Sequence, residues 1–246
     1  ASFDLGTTFR EATLSVFDMT GDGVADLHFQ NGLKVTTFRG NGDGFFGPAV
    51  VTTFPGVGVL TGSEFQHDLT GDGIADMVIS VGGFNEQSLS VYRGLATGGD
   101  NTASTTFADK ANRLNFSAVL QLTSDAAPDI VAYSADSFQA SNAPVTVRIY
   151  RNNGSGGFTQ SFVSEEMTSG FYSYNVGGKQ KLPLPVEDLD GDGDLDLILL
   201  QGSSRSNDVT LHVLSNDGNA GFVQTDEIDV SDFSSQSNVT TVDVDG

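Results

Sequence analysis

Apolar segments of strand length recur along this chain, and turn residues separate them. Leu197–Leu200 is an apolar run without a helical period, and Leu33–Arg39 is a mixed segment of similar length. Short apolar runs bounded by Gly, Asn and Asp are typical of β-strands rather than helices. Nothing approaches the roughly 18 consecutive apolar residues of a membrane-spanning helix. The pattern predicts an all-β chain with no transmembrane segment.

The predicted strands come in sets of four. In the first set, three strands cover Leu14–Phe17, Ala25–Gln30 and Leu33–Arg39, and a fourth starts near Phe45. Asn31-Gly32 separates the second and third strands and predicts a type I′ hairpin. Partial strands are predicted at both ends of the chain, over residues 2–10 and 239–242. Three longer connections are predicted as loops, over residues 94–106, 135–144 and 168–185.

A carboxylate-rich loop precedes the apolar run. Asp188, Asp190, Asp192 and Asp196 occupy its positions 1, 3, 5 and 9, and the carbonyl group of Asp194 is at position 7. Carboxylates that converge in this way need a cation between them, and hard oxygen ligands suit calcium. An EF-hand is excluded, because position 12 is a leucine and a strand follows. A metal-free Asp-Gly hairpin turn is the alternative.

The same loop recurs along the chain. Copies begin at Asp18 and Asp68, and another starts at Asp243, while the copy at Gln121 lacks the first Asp and the Gly, so that we expect no metal there. Successive copies start 50, 53, 67 and 55 residues apart. A period near 50 residues with strands throughout is typical of a β-propeller with one blade per repeat. The predicted calcium ligands are Asp18, Thr20, Asp22, Val24, Asp26, Asp68, Thr70, Asp72, Ile74, Asp76, Asp188, Asp190, Asp192, Asp194 and Asp196.

These loops resemble the FG-GAP repeat, also called the VCBS repeat, of integrin-α-like propellers. The family pattern is Asp-x-Asp/Asn-x-Asp-Gly-x-x-Asp followed by an apolar strand, and residues 188–196 match it throughout. The copies at 18 and 68 depart from it at position 3, where Thr20 and Thr70 stand. The resemblance implies an all-β, calcium-binding β-propeller of four-stranded blades.

The resemblance also predicts how the chain is divided. We expect one propeller domain, or part of one, over residues 1–246. Such propellers commonly have seven blades, so we expect the ring to be completed by the rest of a longer chain or by further copies. The predicted blade repeats cover about 11–56, 57–113, 114–167 and 168–232, with partial blades at 1–10 and 233–246.

The chain is strongly acidic. Its 246 residues include 32 Asp and Glu against 11 Lys and Arg, which gives a formal net charge of −21. Nucleic acids and anionic membranes are poor partners for such a chain, because phosphate binding requires Lys and Arg. The absence of cysteine excludes disulfides and thiolate metal sites. Open calcium loops suit the millimolar calcium outside cells, and we expect a secreted or cell-surface protein.

Two further features fall outside the loops. Arg39, Arg93 and Arg151 end the third strand of successive repeats, and Ser215 takes this place in the fourth. Repetition at one position favours a scaffold role, such as pairing with an acidic neighbour, over a ring of ligand contacts. The insertion at 168–185 is the candidate for ligand recognition, because loops on rigid scaffolds carry function; a loop that only covers a blade edge is the alternative. The candidate ligand-binding residues are Phe171, Tyr172, Tyr174 and Lys179.

The sequence favours binding over catalysis. The three histidines are scattered at positions 28, 67 and 212, and no nucleophile motif is present. We predict a calcium-stabilised binding or adhesion module that recognises a protein or a glycan. A propeller-fold polysaccharide lyase or other carbohydrate-active enzyme is one alternative, although it would need basic and tyrosyl groups clustered in a groove. A structural component of a surface layer or filament is another.

Overall fold

The computed structural model describes ten segments of the chain, and they contain 18 β-strands and no helix. The described residues are 13–55, 59–82, 87–96, 103–107, 113–135, 145–164, 174–176, 179–181, 186–202 and 209–230. The strands are β1 (Thr13–Phe17), β2 (Asp26–Asn31), β3 (Lys34–Gly40), β4 (Phe46–Thr53), β5 (Val59–His67), β6 (Asp76–Gly82), β7 (Gln87–Tyr92), β8 (Ala103–Phe107), β9 (Arg113–Leu120), β10 (Asp129–Ala135), β11 (Val145–Asn152), β12 (Phe158–Val163), β13 (Tyr174–Val176), β14 (Lys179–Lys181), β15 (Val186–Glu187), β16 (Asp196–Gly202), β17 (Val209–Asn216) and β18 (Phe222–Val230).

Sixteen of the described strands form four antiparallel sheets of four strands each, and β13 and β14 form a separate two-stranded sheet. The first sheet contains β1–β4, the second β5–β8, the third β9–β12 and the fourth β15–β18, and neighbours in sequence are neighbours in each sheet. Every connection within a sheet is therefore a hairpin, which antiparallel pairing permits with short loops. The prediction of an all-β chain built from four-stranded units is confirmed.

The first hairpin turn differs from the prediction by one residue. Asn31 pairs with Lys34, so the two turn residues are Gly32 and Leu33 rather than Asn31 and Gly32. Gly32 has a φ of 58°, and Leu33 is not among the described residues with positive φ. A type I′ turn needs positive φ at both central residues, whereas a type II′ turn needs glycine only at the first. The type I′ prediction is therefore wrong.

Two predicted loops contain regular structure. The predicted loop at 94–106 overlaps β8, which pairs with β7 through Leu89 opposite Phe107, so the loop prediction is wrong for this part. The insertion at 168–185 contains the two-stranded hairpin β13–β14, with Tyr174 opposite Lys181. The predicted strands at 2–10 and 239–242, and most of the predicted loop at 135–144, lie outside the described residues.

Successive sheets pack against each other through apolar clusters. Each of the three clusters takes residues from two sheets that follow one another along the chain. Between the third and fourth sheets, for example, Val131 and Ile149 pack with Leu197 and Leu199, all at most 1% exposed. The cores therefore lie between sheets, and the loops at the sheet ends remain accessible. Within the described segments, no helix is long and apolar enough to span a membrane.

Candidate metal-binding loops

Each four-stranded sheet carries one of the repeated loops between its first and second strands. The loops cover residues 18–26, 68–76, 121–129 and 188–196, and are called the first to fourth loops below. Two glycines in the first, second and fourth loops have φ between 73° and 96°, as Gly191 and Gly193 illustrate at 81° and 96°. Residues other than glycine rarely adopt this left-handed backbone conformation. The two glycines of the Asp-Gly-Asp-Gly or Thr-Gly-Asp-Gly sequence therefore allow the loop to close.

The aspartate at position 1 holds the loop backbone together. Asp18 accepts the N–H groups of Gly21 and Gly23, each at 2.7 Å and each on a different carboxylate oxygen. Asp68 and Asp188 repeat this arrangement in the second and fourth loops. The third loop has Gln121 instead, and its Nε2 donates to the carbonyl oxygens of Thr123 and Asp125. This loop therefore closes through a neutral amide rather than a carboxylate.

The aspartate at position 9 is buried in all four loops. These residues are Asp26, Asp76, Asp129 and Asp196, none more than 1% exposed. In the first loop, Asp26 accepts the N–H of Met19 at 3.0 Å and, on its other oxygen, the N–H of Gly40 at 2.8 Å. Burial raises the pKa of Asp76 and of Asp129. Position 9 thus fastens the loop to the end of the third strand, a backbone role that the sequence analysis missed.

The aspartate at position 5 meets an arginine in the first three loops. The Oδ2 atom of Asp22 lies 2.7 Å from Arg39 Nη2, and that of Asp72 lies 2.6 Å from Arg93 Nε. In the third loop, Arg151 reaches Asp125 at 3.3 Å. The N–H of Val24, and then the Arg39 guanidinium, hold the pKa of Asp22 below its usual value. The prediction that these arginines pair with acidic neighbours is confirmed.

The fourth loop has a different partner at this place. Ser215 replaces the arginine, and its hydroxyl group donates to Asp190 Oδ2 at 2.7 Å. Asp192, at position 5, accepts the backbone N–H of Asp194 at 3.0 Å. The loss of solvent around Asp194 raises its pKa, and the charges of Asp192 and Asp188 raise it further. No arginine offsets this concentration of negative charge within the described part of the fourth sheet.

Position 3 carries a buried hydroxyl group in the first loop. Thr20 is 4% exposed, and its Oγ1 makes no hydrogen bond of ordinary geometry with any described residue. It nevertheless lies close enough to Asp22 to help lower the pKa of that carboxyl. The Oγ1 atom of Thr70 is also buried without a hydrogen bond of ordinary geometry, and it acts on the carboxyl group of Asp76 at position 9. Position 7 contributes its N–H to position 5 in these loops, from Val24 and from Ile74, each at 2.9 Å.

The fourth loop brings three carboxylates together. One oxygen from each of Asp188, Asp190 and Asp196 lies within 4.8 Å of the others, and no second such group of acidic or histidine side chains occurs among the described residues. Three oxygens at this separation can all reach one calcium ion, whose ligands lie at about 2.3–2.6 Å. The ligand type and spacing of the fourth loop therefore fit a hard divalent cation.

The other candidate residues lie elsewhere. Tyr174 begins β13 and Lys179 begins β14, so both belong to the hairpin within the insertion, whereas Phe171 and Tyr172 lie outside the described residues. His28 is 1% exposed and packs against Phe65 with ring centroids 4.5 Å apart.

Comparisons with known proteins identify a fold rather than a family. No protein-family model matches the chain, and no curated protein does. Among solved structures, the chain is similar to an Agrocybe aegerita lectin that specifically recognises non-reducing terminal N-acetylglucosamine, with 22% identity and a TM-score of 0.51. The match covers 93% of this chain and 54% of the lectin, so this chain spans about half of the lectin's length. The likeness shows a β-propeller-like all-β fold.

Two other solved structures match less well. The exotype rhamnogalacturonan lyase YesX is 13% identical with a TM-score of 0.44, covering 86% of this chain and 48% of the lyase. A Photorhabdus luminescens Tc holotoxin pore is 16% identical with a TM-score of 0.27, covering 89% of this chain and 12% of the toxin chain. These two scores are too low to establish a shared fold.

Proposed function

We propose that this chain is a calcium-stabilised, carbohydrate-binding part of a β-propeller of the FG-GAP type, and that it works outside the cell. The observation that carries the proposal is the fold likeness to the N-acetylglucosamine-recognising lectin over 93% of the chain. That lectin's ligand suggests a glycan as the ligand class here. The convergent carboxylates of the fourth loop support the calcium part of the proposal.

Calcium binds first at the fourth loop in this proposal. Asp188, Asp190 and Asp196 supply the converging carboxylates, Asp192 lies beside them, and the carbonyl group of Asp194 completes the set. The first and second loops bind more weakly, because each has a threonine in place of the carboxylate at position 3. A bound ion adds stability by binding the folded state alone. Sites of this open type suit the millimolar calcium of an extracellular setting.

The insertion at 168–185 is the proposed place of glycan recognition. It holds Tyr174 and Lys179 in the β13–β14 hairpin, and Phe171 and Tyr172 precede that hairpin in the sequence. Aromatic rings offer flat apolar faces with a polar tip, which suits a sugar ring that has both apolar and hydroxyl-bearing sides. Lys179 adds a hydrogen-bond donor.

The placement of two histidines favours binding over catalysis. His28 lies in an aromatic core, where burial lowers its pKa to about 4. His212 is 8% exposed, and its Nδ1 lies 3.9 Å from Glu227. A general acid or base has to reach a substrate proton, and neither buried ring is accessible to one.

The proposal is tested by measuring glycan binding with and without calcium. Glycans that end in N-acetylglucosamine are the first probes, followed by an array of other terminal sugars. We expect binding in calcium that falls at least tenfold in Phe171→Ala/Tyr172→Ala/Tyr174→Ala. The melting temperature of this triple variant should still rise with calcium, which shows that the fold and the loops are intact.

Two outcomes contradict the proposal. If no glycan binds in calcium, carbohydrate recognition is wrong. If the chain instead converts an acidic polysaccharide to products with new unsaturated ends, and Tyr174→Ala abolishes this turnover, the chain is a lyase and the binding function is wrong.

A further inference from the structure

The four loops fall into two kinds according to one residue at the end of the third strand of each sheet, which lies within the strand or directly after it. This strand-end residue is Arg39, Arg93 or Arg151 in the first three sheets and Ser215 in the fourth. Where it is arginine, position 3 of the loop is threonine, and the arginine pairs with the position-5 carboxylate. Where it is serine, position 3 is Asp190, and the serine hydroxyl donates to that carboxylate. The charged residue and the hydroxyl residue have exchanged places.

The exchange gives the loops very different charges. The first and second loops each have three aspartates and one arginine partner, whereas the fourth loop has five aspartates and no arginine partner among the described residues. A divalent cation would leave the first two loops close to neutral and the fourth still negative. The fourth loop is also the one in which three carboxylate oxygens converge. In the first loop, the buried hydroxyl group of Thr20 lies beside Asp22, at the position where the fourth loop has the carboxylate of Asp190.

We propose that the strand-end residue decides how tightly each loop binds calcium: Arg39 and Arg93 are built-in counter-ions that compete with calcium for Asp22 and Asp72, whereas Ser215 leaves the fourth loop to the ion. This inference rests on the proposed calcium binding. Arginine remains protonated at every physiological pH, so the competition is permanent. Calcium has to displace the guanidinium from the position-5 carboxylate or bind beside its positive charge.

The geometry explains how the guanidinium competes. Arg93 Nε is 2.6 Å from Asp72 Oδ2, while the other oxygen of Asp72 accepts the N–H of Ile74 at 2.9 Å. Both oxygens of this carboxylate are therefore engaged before any ion arrives. The Arg93 side chain is more than half exposed, so the ion pair contributes little to stability. The arginine can therefore be replaced without unfolding the sheet.

The test replaces arginine by the residue that the fourth sheet uses. Calcium binding of the intact chain is measured by titration calorimetry for wild type, Arg39→Ser and Arg93→Ser, each also in a background of Asp188→Asn that removes the fourth site. We expect each serine variant to bind calcium about tenfold more tightly at its loop, and Thr70→Asp/Arg93→Ser more tightly still. The reciprocal Ser215→Arg should weaken the fourth site by a similar factor.

Two control variants separate competition from a general charge effect. Arg93→Lys keeps the positive charge and should bind as weakly as wild type. Arg151→Ser removes an equal charge at the same strand position, but its loop has Gln121 in place of the first aspartate, so no new site should form. Melting in chelator confirms that each variant is folded.

The outcomes distinguish this inference from the proposed function. If wild type binds calcium and Asp188→Asn removes the tightest site, but Arg39→Ser and Arg93→Ser bind no better, the inference is overturned while the calcium proposal stands. The same holds if Arg151→Ser gains as much affinity as Arg93→Ser. If no protein in the series binds calcium at millimolar concentration, both are overturned.

Discussion

At the scale of single residues, the buried aspartates at position 9 accept hydrogen bonds from the backbone. One of them, Asp196, also belongs to the candidate cation site. Asp26 accepts the N–H groups of Met19 and Thr20 on one oxygen and that of Gly40 on the other. All three bonds come from the backbone, so the carboxylate joins the start of the loop to the end of the third strand. A buried N–H without an acceptor is costly, which makes this residue essential to loop geometry even without an ion.

We therefore predict that Asp26→Asn destabilises the fold. The amide keeps one acceptor oxygen but turns an NH₂ group towards a backbone N–H, so a bond is replaced by a clash of donors. The free energy of unfolding should fall by about 2–3 kcal/mol, as for lost hydrogen bonds to a buried charge. Urea denaturation in chelator measures this loss without any contribution from calcium. The matched control is Asp43→Asn, whose carboxylate accepts the N–H of Phe45 in an exposed turn; an equal loss there would contradict the prediction.

His28 predicts a pH dependence. Its ring is buried between Phe17 and Phe65, and its Nε2 has no hydrogen-bond partner among the described residues. Burial lowers its pKa from 6.5 to about 4. Between these two pH values the unfolded chain binds a proton that the folded chain does not, so stability is lost as pH falls. The loss should be about 2 kcal/mol from pH 7 to pH 5.

The His28 prediction is checked by urea denaturation across this pH range. His28→Leu should flatten the stability profile above pH 5, because the titrating group is gone. Phe65→Leu weakens the same core without removing the histidine, so its profile should stay as steep as that of the wild type. Parallel profiles for wild type and His28→Leu would show that another group causes the dependence.

At the scale of elements, the local sequence predicts most strands. It does not predict a strand that forms only because a neighbouring strand pairs with it. The strands of the first sheet are predicted to within about two residues, because Asn, Gly and Asp mark their ends. β8 was missed because its sequence, Ala-Ser-Thr-Thr-Phe, is short and polar and follows a Gly-rich stretch. It is a strand because β7 offers it a hydrogen-bonding edge, which only the fold supplies.

The same limit applies to the loops. Carboxylate spacing predicts which residues form each loop, because that information is local. The backbone role of position 9 is not local, because Asp26 binds the N–H of Gly40, 14 residues away. Ser215 likewise contacts Asp190 only because the fold brings the end of the third strand next to the loop. The arginine pairing was predictable because the arginine recurs in three repeats. Ser215 occurs at this place in one repeat, so there was no recurring pattern from which to predict its hydrogen bond.

Asn216 joins the third and fourth sheets. Its Nδ2 donates to the carbonyl oxygen of Leu122 in the third loop at 2.7 Å and to that of Leu195 at 3.1 Å. Asn152 makes the equivalent bonds from the third sheet to Leu69 and Pro128. These two asparagines link the third sheet to the second loop and the fourth sheet to the third loop, in addition to the apolar clusters.

We predict that Asn216→Ala loosens the contact between the third and fourth sheets. Two buried or partly buried carbonyl groups lose a donor, so the free energy of unfolding should fall by about 1–3 kcal/mol. Hydrogen exchange should increase first in the fourth sheet and in the third loop. Asn219→Ala is the control, because among the described residues its side-chain amide donates to the exposed carbonyl of Asp217 and to no buried group. If exchange became faster to the same extent in all four sheets, Asn216 would not act locally between the third and fourth sheets, and the prediction would be contradicted.

At the scale of the whole molecule, the packed sheets and the acidic loops have opposite effects on the stability of the folded state. Apolar clusters between successive sheets hold the structure together, while a net charge of −21 works against a compact state. Three arginines each offset one carboxylate at the first three loops, whereas the five aspartates of the fourth loop have no arginine partner in the part of the chain that the structure describes. The molecule therefore has one place where an added cation relieves far more repulsion than anywhere else described.

The last prediction follows from this imbalance. An ion that binds only the folded state stabilises it by RT ln(1 + [Ca²⁺]/Kd), which is about 2.7 kcal/mol when calcium is 100 times its Kd. We expect the melting temperature to rise by several degrees between chelator and 10 mM calcium. Asp190→Asn should remove most of the rise because it deletes one converging carboxylate, whereas Asp72→Asn should remove little, because Arg93 already neutralises that group. A rise that is the same in sodium chloride of equal ionic strength would reflect screening instead, and a rise abolished by Asp72→Asn but not by Asp190→Asn would place the ion in the second loop.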